Sequence, residues 1–261
     1  MRKIILLTLM LSLPSFAKNI PLEDLSKQDF EDLLGEFSAN FNHSTVTSAS
    51  KLGMIFGFQF GVVGGLTKSD KIDELMKEAD SNSNGVSSIP TAALIGKVTA
   101  PFGVGAEVSF VPSFDIQGLK MKNLGLALTY DIGSVLKIPV GLGIKATYTK
   151  TDIEFETKDP STGADIDAVF SGNVKGLTLF AGRKFIIVEP YVGLGIVKAD
   201  GDLSADTSLF SYSSNRKETA KKSSAHVVVG ANLNLLALKL GVEYSNLLGT
   251  SKVLGKLNFG F

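Results

Sequence analysis

The sequence predicts an all-β chain: a single transmembrane antiparallel β-barrel of about ten strands, with an N-terminal periplasmic amphipathic helix and a short helix in the first extracellular loop. Three observations predict it. Segment after segment alternates large apolar residues with Gly, Ser, Thr or a charge, the period-two pattern of a strand whose two faces differ. The gaps between these segments alternate long and short, as in barrels with short periplasmic turns and longer extracellular loops. Beyond the first 17 residues no stretch approaches twenty apolar residues, so no spanning helix is expected.

The chain opens with a basic start (Arg2, Lys3), an apolar run from Ile4 to Leu13, and Ser15-Phe16-Ala17 as a small-x-small cleavage site. That is the pattern of a secretory signal peptide. The expected division is therefore 1–17 signal peptide, 18–50 N-terminal helical segment and 51–261 barrel. Loss of Arg2 and Lys3 would leave 24 basic against 26 acidic residues, and nothing in that balance suggests a nucleic-acid partner. The absence of Cys removes both a lipid-anchoring cysteine and disulfides. Twenty-seven Gly, no Trp and a mean hydropathy of +0.22 suit a sheet with a small inner face and an outer face against lipid.

In the N-terminal segment, Phe30, Leu33, Leu34, Phe37 and Phe41 recur at helical spacing, and Ser26 with Asp29 forms a capping arrangement. Between Pro21 and Phe41 six acidic residues face Lys27 alone, whereas membrane-surface helices carry Lys or Arg. The stripe is expected to pack on protein: the barrel mouth, a lumen or a neighbouring protomer. A helix is about 10–12 Å across with its side chains, which a ten-strand lumen would hold with difficulty. A second helix, Ser69 to Ala79, places Ile72, Leu75, Met76 and Ala79 on one face, to cover the barrel or dip into the leaflet.

The first strand is read from Gly53 to Val63, with Phe56, Phe58, Phe60 and Val62 on one face. Further strands follow at Phe102–Phe110, Leu124–Tyr130, Ile138–Tyr148, Val188–Ile196, Val227–Leu233 and Leu238–Tyr244, with weaker ones near Thr91–Thr99 and Val174–Arg183. Long gaps are expected over about 65–90, 111–118, 151–172, 198–223 and 246–251. The last strand alternates Val253, Gly255, Leu257, Phe259 and Phe261 and stops on that Phe. Leu257, Phe259 and Phe261 look like the assembly signal of Gram-negative outer-membrane barrels, which implies the outer membrane as location and the barrel assembly machinery as a partner in biogenesis. A lipocalin-like barrel or β-sandwich would place its large apolar residues inside, which the Gly, Lys and Glu content of the minor face opposes.

That minor face puts Gln59, Glu107, Lys145, Glu189, Lys239, Glu243 and Lys256 into the lumen with nearly balanced signs. Buried charges must pair, so the lumen is either plugged and salt-bridged or a narrow, weakly selective channel. The Gly-x-Gly pairs lie mid-strand and signal close backbone approach rather than nucleotide binding. Asp80, Asn82 and Asn84 with Gly85 match half of a calcium loop, but the twelfth position is Thr91 instead of Glu; calcium is not expected, and no metal or cofactor is required. The two histidines, His43 and His226, the latter near Ser223 and Ser224, do not make a convincing nucleophile–base pair. No catalytic residues are assigned.

Leu52-Gly53, Phe56-Gly57, Gly61-Val62-Val63, Ile89-Pro90 and Pro101 through Phe110 with Pro112 are together similar to a group of small porin-like outer-membrane barrels that includes proteins of predatory bacteria. The resemblance covers the first half of the chain after residue 17. It implies homo-oligomeric rings of narrow barrels enclosing membrane lipid, with bound phospholipid and no enzymatic activity. The expectation is a non-enzymatic, lipid-organising homo-oligomer; the alternative is a passive channel for small or apolar solutes, with a lipid-modifying enzyme third.

Overall fold

The computed structural model describes residues 26–50, 52, 56–79, 85–116, 119–136, 138, 140–158, 165–209 and 212–261. Ten antiparallel strands follow one another around a closed barrel: β1 (Gly57–Lys68), β2 (Ser88–Thr99), β3 (Val104–Ile116), β4 (Leu119–Asp131), β5 (Gly141–Lys158), β6 (Asp165–Gly182), β7 (Val188–Leu209), β8 (Tyr212–Leu235), β9 (Leu238–Leu247) and β10 (Thr250–Gly260). β1 pairs with β10 from Gln59↔Gly260 to Thr67↔Lys252, which abolishes both sheet edges there. The terminal residue completes this seam. Phe58 and Phe261 exchange main-chain hydrogen bonds at 3.0 and 2.9 Å, and their rings lie 5.7 Å apart.

The period-two pattern orients every wall strand. Phe58, Phe60, Leu94, Val98, Leu128, Leu179, Leu194, Ile196 and Val242 are half or more exposed on the outer surface. Their neighbours Gln59, Lys97, Thr129, Thr178 and Glu243 are buried inside. An apolar exterior around a polar interior is the reverse of a soluble barrel and matches a lipid-facing wall. Leu257, Phe259 and Phe261 stand on that outer face.

The long gaps differ from expectation. β1 runs on to Lys68, β5 to Lys158 and β6 back to Asp165, while β7 and β8 pair from Val188↔Leu233 up to Leu209↔Tyr212. In the extensions of β5 to β8 the apolar residues are inward, as at Ile153, Phe170, Ala199 and Ala220, and the outward ones are polar, so the stripe that marks a lipid-facing strand is missing while main-chain pairing continues in register. Part of the reading for the first strand (residues 53–55), the signal-peptide segment and the calcium-like Asp80, Asn82 and Asn84 lie outside the described residues.

α1 (Lys27–Phe41) starts at a capping box: the Ser26 hydroxyl accepts from Asp29 N–H, and the Asp29 carboxylate accepts from Ser26 N–H. α2 (Asp70–Ala79) follows β1, and α3 (Ile132–Leu136) forms the β4–β5 turn. α1 packs in the lumen, one of the three sites expected for its stripe, which corrects the expectation of a helix at the periplasmic end. It does not sit at the short-turn rim, nor does it offer its stripe to a neighbouring protomer. It lies inside the barrel towards the long-loop end, where Phe30, Leu33, Leu34 and Phe41 are buried with Phe37 partly so. The lumen accommodates a helix because glycines sit at the close contacts: a Cβ on Gly35 would come within 2.8 Å of the Leu248 carbonyl, and one on Gly201 would collide with Leu34.

Candidate functional site

The interior has two storeys, each matched to the part of the N-terminal segment that fills it. At the loop end, Ile89, Val111, Met121, Phe170, Val197 and Ala220 form an apolar lining around α1. Burying four large side chains at about 1.5–3 kcal/mol each anchors the helix with gross stabilisation on the order of 8 kcal/mol. α2 closes the top: Ile72, Leu75 and Met76 are buried against α1, so this loop helix covers the barrel. Glu36 of α1 accepts from the N–H groups of Lys71 (2.6 Å) and Ile72 (3.1 Å), supplying acceptors at the start of α2. Burial raises the Glu36 carboxyl against the opposing pull of those two amides. Lys71 Nζ also reaches Asp29 at 2.8 Å; that hydrogen bond, with those from Ser26, holds Asp29 down to about 2.

Beyond Phe41 the chain leaves the helix in extended form and descends the lumen to Leu52. Its residues, from Asn42 to Ser50, are small and mostly polar, and the wall supplies complementary charge. Three wall lysines donate to backbone carbonyls of the segment: Lys252 to Asn40 (2.7 Å), Lys145 to Thr47 (2.9 Å) and Lys97 to Ser48 (3.0 Å). Lys252 also reaches the carbonyls of Ala39 and Asn42, which places an ammonium at the negative end of α1. Near the far end, Thr99 accepts from Leu52 N–H at 3.0 Å and donates to Leu52 O at 2.8 Å.

Three carboxylates receive the segment's hydroxyls. Glu107 is the hub: Lys145 lies 2.9 Å and Lys97 3.2 Å away, Thr45 and Thr47 donate at 2.8 and 3.1 Å, and His43 Nε2 sits at 3.3 Å. Glu243 accepts from Ser44 and Tyr191, and Glu189 accepts from Ser48 and Ser50. Inward glycines make room for the main chain; a Cβ on Gly125 would lie within 2.8 Å of His43, and one on Gly143 would strike Ala49. Val46 turns the segment at φ 51° and is held by burial among Val63, Ile95 and Leu254.

His43 Nδ1 is 2.8 Å from Ser109 Oγ while its Nε2 faces Glu107, a Ser–His–Glu connection. All three side chains are buried, and Glu107 is already engaged by two lysines, so the connection fastens the segment to β3. His226, bonded to Thr178 at 3.1 Å, lines a cavity of about 20 Å³ with Lys145, Glu243, Lys252 and Asn42. That is room for about one water molecule.

Of the residues expected in the lumen, Glu107, Lys145, Glu189 and Glu243 meet in this network. Gln59 and Lys256 are buried inside with no hydrogen bond to the segment among the described residues, and Lys239 is half-buried near the short turns. Sequence reasoning missed Lys97, Ser109, Tyr191 and Lys252, and the role of residues 42–50. The signal was there in the run Asn-His-Ser-Thr-Val-Thr-Ser-Ala-Ser, whose small polar residues read equally well as a linker.

Residues 24–252 match the model of a family of unknown function, DUF6588. The chain belongs to this family. No curated protein matches the sequence. Among solved structures the chain is similar to the outer membrane protease OmpT from Escherichia coli, with 10% identity over 82% of this chain and 100% of that one at a TM-score of 0.49. It is similar as well to the translocator domain of autotransporter NalP from Neisseria meningitidis (10% identity, 90% and 96% covered, TM-score 0.45). A further similarity is to the attachment invasion locus protein Ail of Yersinia pestis (15% identity, 79% and 97% covered, TM-score 0.35).

Proposed function

We propose that this family member is a non-enzymatic outer-membrane barrel kept closed by its own N-terminal segment, acting through its outer wall on membrane lipid and not as an open conduit. The observation that carries the reading is the filled lumen. Residues 26–50 and Leu52 occupy it from the loop end to the short-turn end and contact most of its strands. The resemblance to lipid-enclosing porin-like barrels supports the lipid role, and so does the apolar exterior. Because α1 is spent inside its own barrel, any homo-oligomer forms through the wall.

One observation favours a gated channel as second reading: wall lysines hold the segment largely by its main chain, contacts that a rearranged segment could re-form at other carbonyls. Planar-bilayer recording separates the two. The full chain is expected to show no steady conductance, and a variant lacking residues 18–52 to show resolved steps. Steady conductance from the full chain overturns the closed-barrel reading; ligand-triggered steps favour the second.

A further inference from the structure

Resting on the reading of the outer wall as a lipid contact, one patch of that wall identifies the lipid chemistry it suits. Four strands bring Tyr148, Lys175, Lys198 and Ser223 into one cross-strand row on the outer face of β5–β8. The next row towards the loops is Lys150, Asn173, Asp200 and Lys221. Two adjacent rows thus carry four lysines against a single carboxylate. Lys175 and Lys198 stand directly opposite each other, an arrangement that destabilises an antiparallel pair unless something neutralises it.

The chain's own groups neutralise it poorly. Among the described residues Lys175 and Lys221 make no ion pair, Lys198 approaches only Asp200 at 3.8 Å, and Lys150 only Asp152 at 3.6 Å. The carboxylates of the row beyond are turned to hydroxyls: Asp152 accepts from Ser171 and Asp202 from Thr219. The row on the other side is Ala146, Leu177, Ile196 and Ala225, followed by Leu179 and Leu194, which are 58% and 65% exposed. The excess positive charge therefore sits on the last polar rows before the apolar band.

We propose that Lys175 and Lys198, flanked by Lys150 and Lys221, bind the phosphate of a lipid headgroup at the loop-side edge of that band. Leu177, Leu179, Leu194 and Ile196 pack against its acyl chains. Phosphate oxygens accept charge-assisted hydrogen bonds from ammonium groups, and flexible lysine stems reach a headgroup while covering apolar surface. A ligand carrying both phosphate and hydrocarbon satisfies the two adjoining surfaces at once; a free phosphate satisfies only one.

Native mass spectrometry of the full chain in neutral detergent, titrated with diphosphoryl lipid A, tests this. The parent protein should retain the lipid, and Lys175→Gln/Lys198→Gln should weaken retention tenfold or more. Lys120→Gln, on a row where Glu154 lies 4.0 Å away, should leave it unchanged, and dephosphorylated lipid A should bind like the double variant. All these side chains are exposed, and heat-modifiable gel mobility confirms that each variant is folded. Equal retention by the double variant, or none by the parent, overturns the site. Displacement of the lipid by millimolar inorganic phosphate that itself stays bound overturns the lipid assignment in favour of a free anion. Conductance of the same samples keeps the two proposals apart: a silent parent that retains no lipid loses this site while its barrel remains closed.

Discussion

Replacing Glu107 with Gln preserves the size of the side chain and one acceptor oxygen but deletes the charge that two buried lysines share. Lys145 at 2.9 Å and Lys97 at 3.2 Å would then rest on neutral partners: the glutamine oxygen, the carbonyls of Thr47 and Ser48 at 2.9 and 3.0 Å, and the Phe180 ring 5.1 Å from Lys145 Nζ. Removing one member of a buried ion pair costs about 3–5 kcal/mol, because the other charge is stranded. The surviving carbonyl contacts place the expected loss near the lower end, about 3 kcal/mol. The chain has no Trp, so urea unfolding in detergent micelles is best followed by circular dichroism and by gel mobility. A second arm sharpens the inference: in the Glu107→Gln background, Lys145→Met removes a stranded charge and should recover about 1–2 kcal/mol, a coupling that independent sites would not show. A Glu107→Gln protein within about 0.5 kcal/mol of the parent, or strictly additive effects, would refute the hub.

Leu34→Ala, at a fully buried side chain packed on Gly201, should cost about 3 kcal/mol and expose the N-terminal segment to protease while the wall strands stay protected. Asp29 titrates at about 2 instead of 3.8 because Lys71 and Ser26 bind its ionised form. A depressed folded value means stability present above pH 3.8 and lost as pH falls through about 2; melting temperature should drop over that interval, and Asp29→Asn should make the drop smaller, with Asp32, held down by Lys222, contributing the rest. Leu194→Arg places a charge on the outer wall, where a lipid-facing position costs about 2–4 kcal/mol near the midplane and a water-facing one stays within about 0.5 kcal/mol; folding yield into bilayers distinguishes them.

The wall was legible because alternation is a local property. Phe58, Gln59 and Phe60 announce two faces whatever surrounds them, and ten strands with alternating gaps follow from repeating that reading. The cap of α1 was legible for the same reason, since Ser26 and Asp29 lie three residues apart. The whereabouts of α1 were not, because they depend on what faces it across the lumen. Gly201 and Gly35 clear the helix, Ala199 and Ala220 keep the lining flat, and only the closed sheet brings them together. Lys252 belonged to the terminal strand's polar face, yet its partners are carbonyls some 210 residues away in sequence. The upper parts of β7 and β8 were hidden because no large apolar residue marks their outer face: Lys198 and Asp200 alternate only with the small Ala199, and β8 runs Lys221-Lys222-Ser223-Ser224.

Whether residues 42–50 lie inside the barrel in the folded protein is tested most directly by a disulfide. The chain contains no Cys, and a Cβ on Gly241 would lie 3.1 Å from Val46 Cγ1, close to the spacing between one Cys Cβ and its partner's sulfur in a bridge; the other neighbours are the movable ends of Asn232 and Lys256. Mild oxidation of Val46→Cys/Gly241→Cys in the membrane should give near-complete intrachain cross-linking, reversed by reductant and visible as a mobility shift. Free, readily alkylated thiols, or links only between chains, would contradict a barrel closed by its own N-terminal segment.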